Sequence, residues 1–106
     1  GAVQGVQAID NYLSNGKPEI VGVNWNGGTD SRNANPATQH FVVVSGSGTE
    51  NGRKYYSFFE VGTGFRDKGT SPQNRLYLNS NSSLTGTSVY NQDTKRYTVT
   101  EVRLRP

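Results

Sequence analysis

Apolar residues recur at two different spacings along the chain. Near the N terminus, Val6, Ile9 and Leu13 follow the three-to-four-residue period of an amphipathic helix. Asn15-Gly16 comes directly after this run and is a typical C-terminal stop signal. The pattern therefore predicts one helix over about residues 3–15.

Beyond the helix, the apolar residues alternate with polar ones or cluster in short runs. These runs are rich in β-branched and aromatic residues, and Gly, Asn and Pro separate them, which is typical of strands joined by turns. The predicted strands cover residues 19–25, 41–45, 54–59, 74–79 and 96–104. The sequence predicts an α+β fold in a single domain, residues 1–106, with one N-terminal helix packed on an antiparallel sheet of about five strands.

The second and third strands are predicted to form a hairpin. Their turn, over residues 48–52, contains Asn51-Gly52, a dipeptide that strongly favours tight turns. Counting outward gives two equal arms, residues 40–47 and 53–60. The outer ends of the arms, His40 and Glu60, are therefore expected to lie almost opposite each other.

His40 is the single histidine of the chain and stands at the start of a valine-rich strand. A partly desolvated imidazole at a strand end can act as a general base near neutral pH. A carboxylate beside it would fix its tautomer and stabilise its cation. We therefore predict His40 and Glu60 as catalytic residues. The alternative is that His40 simply begins a strand and that Glu60 is a solvent-exposed strand end.

Composition limits the chemistry of the chain. Only 31% of the residues are hydrophobic and 13 are Gly, which predicts a loop-rich domain with a thin core. There are no cysteines, so the chain supplies no disulfide, no thiolate metal ligand and no thiol nucleophile. One histidine with scattered carboxylates lacks the ligand spacing of a zinc or calcium site, so we predict no metal and no cofactor.

The net charge of +3 comes from 11 Lys and Arg against 8 acidic residues. These basic residues are dispersed, whereas nucleic-acid surfaces usually carry a dense basic stripe, so nucleic acid is not the expected partner. No apolar run approaches the roughly 20 residues that span a bilayer, and no membrane association or signal peptide is predicted. The chain opens abruptly at Gly1 without a helix cap, and we expect that more protein preceded it.

The order of the segments resembles one protein family. A helix ending in YLSNGKP, a strand EIVGVNW, a loop rich in Gly and Asn, HFVVVSGSG, a turn and then KYYSFFEVGTG resemble the second half of compact bacterial papain-like cysteine peptidases. These include double-glycine peptidases and amidase-type relatives that cut peptidoglycan. The resemblance covers about residues 6–64. It implies one half of a papain-like fold, with His40 as the general base and Glu60 in the place of the Asp or Asn that orients it.

The sequence departs from the family pattern at three points. The nucleophilic Cys is missing, Gln39 replaces the Gly that commonly precedes the histidine, and Glu60-Val61 replaces Asp-Pro. The peptidase interpretation therefore requires a Cys-bearing N-terminal fragment of the same precursor as a partner. Its substrate would be a peptide or peptidoglycan, contacted by Trp25, by the loop that follows it and by Gln39.

Two further hypotheses remain open. The chain could be a catalytically inactive β-rich module that binds a peptide, a glycan or a protein through its tyrosines and polar loops. It could also be a small basic ribonuclease-type toxin, with His40 and Glu60 as acid and base and Arg75 or Arg103 as phosphate clamp. A ribonuclease would cleave RNA as this chain alone, whereas a peptidase would need a thiol from elsewhere.

Overall fold

A computed structural model describes residues 2–25, 40–60, 69–88 and 96–102 of the chain. These ranges contain one helix, α1 (Ala2–Ser14), and the strands β1 (Glu19–Trp25), β2 (His40–Glu50), β3 (Arg53–Phe59), β4 (Arg75–Leu78), β5 (Leu84–Thr87) and β6 (Tyr97–Val102). Among the described residues, no helix has the length and apolar character needed to cross a membrane.

Helix α1 ends as the sequence predicts. Gly16 adopts a positive φ of 70° just beyond the helix. Its backbone N–H donates to the carbonyl of Leu13 at 3.0 Å, and the N–H of Lys17 donates to the carbonyl of Tyr12 at 2.9 Å. This pair of bonds satisfies carbonyl groups that the last turn leaves unpaired, and it requires a left-handed residue, for which glycine has no steric penalty.

The six strands form a closed antiparallel barrel in the order β1-β2-β3-β4-β5-β6. Each strand pairs with its neighbour in sequence, and β6 returns to pair with β1, where Val21 faces Val102 and Trp25 faces Tyr97. Closure gives every strand two neighbours, so the barrel has no free sheet edge of the kind that invites aggregation.

The prediction of a helix packed on an open sheet of about five strands is therefore wrong. The missed strand is β5, whose sequence Leu-Thr-Gly-Thr is short and mostly polar and lies outside every predicted strand. The second error concerns closure. The pairing of β1 with β6 joins residues that are 72 to 81 positions apart, from Trp25 with Tyr97 to Val21 with Val102, and periodicity within a short window reveals no contact at that separation.

The β2–β3 hairpin turns at Asn51-Gly52, whose φ angles are 52° and 79°. Positive φ at both positions is what a two-residue turn between antiparallel strands needs. Pairing begins immediately at Glu50 and Arg53, and a bulge between Val44 and Gly46 shifts the register by one residue. The prediction of a turn over residues 48–52 between equal arms is therefore wrong. The turn consists of Asn51 and Gly52 alone, residues 48–50 are paired in β2, and the bulge adds one residue to that strand.

The core lies inside the barrel and is extended by the helix. Alternate residues of the strands point inward, as the period of two requires. The buried hydrophobic residues form one cluster: Ile9, Val21, Val23, Val42, Val44, Tyr56, Phe58, Leu76, Leu84 and Tyr97. Ile9 is the member that α1 contributes, which fixes the helix against the strands. Because these side chains fill the interior, the barrel encloses a packed core.

Candidate functional site

His40 lies at the first position of β2, where it pairs with Val23 of β1. Its side chain is 28% exposed, in contrast to Val42 and Val44, which follow on the same face and are fully buried. The sequence places the imidazole at this boundary because the strand begins with a polar residue and continues with valines. His40 thus presents a partly exposed imidazole at the start of β2.

Glu60 directly follows β3 and points to the same interior face as Tyr56 and Phe58, as the alternation of that strand predicts. Its backbone N–H donates to the carbonyl of Gly69 at 2.8 Å. Its side chain is only 3% exposed. A carboxylate buried to this extent needs hydrogen-bond donors or a cation, because removal from water strongly disfavours its charge.

His40 Nε2 and Glu60 Oε1 are in direct contact. The contact is diagonal. Val43 and Phe59 form the last pair of the hairpin at the end away from the turn; His40 lies three residues further along β2 in that direction, and Glu60 lies one residue past the end of β3. Long side chains on one face of a sheet reach across such a diagonal. The structure thus brings the two predicted catalytic residues together, although the predicted register would have placed them nearly opposite each other.

The second oxygen of Glu60 is also engaged. The hydroxyl of Tyr97 donates a hydrogen bond of 2.7 Å to Oε2, and the buried side chain of Ser88 is a further hydrogen-bond partner of the carboxylate. Burial raises the pKa of Glu60, but the hydrogen bonds from His40, Tyr97 and Ser88 outweigh it and leave the pKa below its ordinary value of 4.5. Glu60 is therefore an anion at neutral pH.

A buried asparagine supports the segment that follows Glu60. The side-chain amide of Asn74 donates to the carbonyl of Gly69 at 3.3 Å, and this carbonyl also accepts the N–H of Glu60. The carbonyl of Asn74 in turn accepts the N–H of Phe58 at 3.1 Å. The backbone on both sides of Phe59 is thus anchored to the 69–74 segment, which restricts where the carboxylate of Glu60 can lie.

Sequence reasoning missed Tyr97, Ser88 and Asn74. Tyr97 and Asn74 are predicted only as residues of strands, and Ser88 lies outside every predicted strand. The hydrogen bond between Tyr97 and Glu60 joins residues 37 positions apart. No local pattern marks such a partner, and the available hint is that a buried tyrosine hydroxyl usually finds a hydrogen-bond partner.

The structure describes only part of the predicted substrate-binding region. Gln39 and the glycine-rich loop, residues 26–39, lie outside the described residues. For Trp25 the structure gives the backbone position, the last residue of β1, paired with Tyr97 of β6. This pairing places the end of β1 beside the strand that carries the tyrosine of the site. Their role in binding stays a prediction.

The two arginines proposed as phosphate clamps do not join the site in the described part of the chain. Arg75 lies on the outer face, where its guanidinium stacks over the ring of Tyr55 at 4.1 Å and pairs with Glu50 at 3.0 Å. Arg103 lies outside the described residues. Across the described ranges, no three His, Cys, Asp or Glu side chains form a group that could hold a metal ion.

Comparison with protein-family models, with curated proteins and with solved structures returned no match to this chain. The resemblance to papain-like peptidases thus stays a prediction from sequence motifs.

Proposed function

We propose that His40 and Glu60 are the general base and the orienting carboxylate of a hydrolase that cleaves peptide bonds with a cysteine thiol. The thiol would come from a segment outside these 106 residues, because the chain contains no cysteine. The observation that carries the proposal is the contact between a half-exposed imidazole and a buried carboxylate, His40 Nε2 with Glu60 Oε1. Such a pair is how hydrolases hold a catalytic histidine in one tautomer and orientation.

The contact assigns a role to each ring nitrogen. With its proton on Nε2, His40 donates to Glu60, and Nδ1 becomes the basic nitrogen of the ring. Nδ1 can then accept the proton of a thiol, producing the thiolate that attacks the carbonyl carbon of the substrate. The same proton is later given to the leaving amine as the peptide bond breaks and the acyl group passes to the sulfur. A water molecule that gives a proton to Nδ1 then attacks the thioester, and the acid and the free thiol are released as that proton returns to the sulfur. During this cycle the anion of Glu60 compensates the positive charge of the imidazolium.

The substrate would be a peptide or the peptide part of peptidoglycan, as the family resemblance implies. Trp25 and Gln39 are the proposed substrate-binding residues, because the first ends β1 beside Tyr97 and the second directly precedes His40 in the sequence. Aromatic and amide side chains are suitable contacts for an extended peptide.

The geometry supports the peptidase-type role better than the ribonuclease alternative. A ribonuclease would need Glu60 to exchange protons with the substrate, but its side chain is 3% exposed and both of its oxygens have partners. Arg75 is paired with Glu50 on the outer face of the barrel. A carboxylate buried in this way acts through the histidine, which is the role of an orienting residue.

The proposed base can be tested without the natural nucleophile. The chain is incubated with an activated aryl ester and a small thiol, and the thiol-dependent release of the phenol is compared for the wild type, His40→Ala and Glu60→Gln. We expect the wild type to accelerate the reaction, His40→Ala to abolish the acceleration and Glu60→Gln to reduce it about tenfold or more. Equal rates for the wild type and His40→Ala would contradict the proposal. RNA cleavage by the chain alone would instead support the ribonuclease hypothesis.

A further inference from the structure

Tyr97 contacts both members of the proposed pair. It is the first residue of β6 and fully buried, with register partners in β1 and β5, Trp25 and Gly86. Its ring lies 5.8 Å from the ring of His40, measured between centroids, at an interplanar angle of 48°. Strands on both sides of β6 therefore fix the tyrosine, and its ring supports the imidazole.

The hydroxyl group of Tyr97 determines how Glu60 can turn. It donates to Oε2 at 2.7 Å, while Oε1 contacts Nε2 of His40. The last torsion of a glutamate side chain is broad and roughly two-fold, so a carboxylate held at one oxygen retains considerable freedom. Holding both oxygens removes this freedom and directs Oε1 toward the imidazole.

We propose that Tyr97 is a positioning residue for His40: by holding Glu60 Oε2 it keeps Oε1 on Nε2 and so fixes the imidazole in the tautomer with the proton on Nε2. This inference rests on the proposed function and deepens it, because that tautomer makes Nδ1 the proton acceptor. A buried tyrosine that served only as core would fill the same volume without influencing the tautomer. The difference can be measured in the chain as it stands.

The test uses the fact that His40 is the single histidine of the sequence. Both ring nitrogens are observed by NMR in protein labelled with ¹⁵N-histidine, at a pH at which titration shows the ring to be neutral. We expect the ratio of the Nε2-protonated to the Nδ1-protonated form to fall about five- to tenfold in Tyr97→Phe, as the loss of one hydrogen bond implies. The matched control is Tyr55→Phe, on the outer face beside Arg75, which should leave the ratio unchanged.

An unchanged ratio in a folded Tyr97→Phe protein would overturn the inference. If this variant does not fold, the wild type provides the second measurement, with ¹³Cζ-tyrosine and ¹⁵N-histidine labels. As the pH falls and Glu60 is protonated, the signals of Tyr97 and His40 should share one transition, beside the change in His40 that protonation of its own ring causes. If no shared transition is seen, the inference is overturned. Neither measurement involves a thiol or a substrate, so failure of the proposed hydrolase activity would not be confused with failure of the tautomer effect.

Discussion

Tyr56 and Asp10 connect the barrel to its helix: the Tyr56 hydroxyl, from β3, donates a hydrogen bond of 2.6 Å to Asp10 Oδ1 in α1. The ammonium group of Lys54 donates to the same oxygen at 3.0 Å. Asp10 and Lys54 are both about 40% exposed, so solvent weakens their ion pair. The buried tyrosine, which is fully covered, is therefore the more important partner in holding the helix.

This connection predicts a loss of stability at alkaline pH. Burial and then the bond to Asp10 raise the pKa of Tyr56 to about 12 from its ordinary value of 10. Between these values the unfolded chain releases the proton while the folded chain keeps it, so the free energy of unfolding falls as the pH rises from about 10 to 12. The raised pKa of Lys54, caused mainly by Asp10, acts in the same direction. Urea unfolding across this range should show a smaller fall for Tyr56→Phe than for the wild type. An equal fall in both would contradict the assignment.

The candidate site predicts that the protein also loses stability at acidic pH. The pKa of Glu60 lies below 4.5 in the folded chain despite burial, because of its bonds to His40, Tyr97 and Ser88. Below 4.5 the unfolded chain takes up the proton first, so this contribution to stability is present above that pH and is lost as the pH falls through the folded value. Glu60→Gln should be less stable than the wild type at pH 7, and the difference should narrow as the pH falls from about 5 to 2. A constant difference over that range would be inconsistent with this explanation.

Two glycines of the barrel form a matched pair for a steric test. A Cβ atom at Gly86, in β5, would lie 1.8 Å from the carbonyl oxygen of Arg75 in β4, whereas one at Gly46 would meet nothing within 4 Å. Because the obstacle at Gly86 is backbone, it cannot move aside as a flexible side chain would. We expect Gly86→Ala to lower the free energy of unfolding by about 3 kcal/mol or more, and Gly46→Ala to change it by less than about 1 kcal/mol. Similar effects at both positions would show that β4 and β5 do not approach so closely.

Glu19 carries a buried carboxylate oxygen that accepts no hydrogen bond from the described residues. Its side chain is fully buried. Oε1 accepts the N–H of Ile20 at 2.8 Å, while Oε2 has no hydrogen-bond partner in the part of the chain that the structure describes. A buried carboxylate with an unsatisfied oxygen costs free energy. Glu19→Gln removes the charge at nearly constant volume and should raise the free energy of unfolding by about 1 kcal/mol, measured by urea denaturation at pH 7. A loss of stability would mean that the charge itself has a favourable partner.

The helix and most of the strands of this fold can be predicted from the sequence. The spacing of Val6, Ile9 and Leu13 and the stop at Asn15-Gly16 predict the helix correctly, because both signals lie within a few residues. The valine-rich run after His40 likewise predicts the strand β2 correctly. Closure of the barrel could not be predicted from the sequence. It depends on β5, which has little apolar periodicity, and on the pairing of strands that lie far apart in the chain.

The candidate site can be predicted only in part, because some of its contacts are local in the sequence and others are not. His40 and Glu60 belong to one hairpin, and their proximity follows from its turn at Asn51-Gly52 even though the bulge near Ser45 changes the register. Tyr97 reaches Glu60 only because the barrel closes. The sequence therefore predicts the pair, and the closed fold adds the tyrosine that holds it.

The proposal that His40 serves a thiol from outside this chain can be tested by mass measurement on protein from its native source. The native mass is compared with the mass under denaturing conditions, and cysteine alkylation by iodoacetamide is followed for the wild type and His40→Ala. We predict a second, cysteine-bearing polypeptide beyond the 11.6 kDa of this chain, with a thiol that is alkylated at least tenfold more slowly in His40→Ala. A native mass of 11.6 kDa, or alkylation independent of His40, would contradict the account.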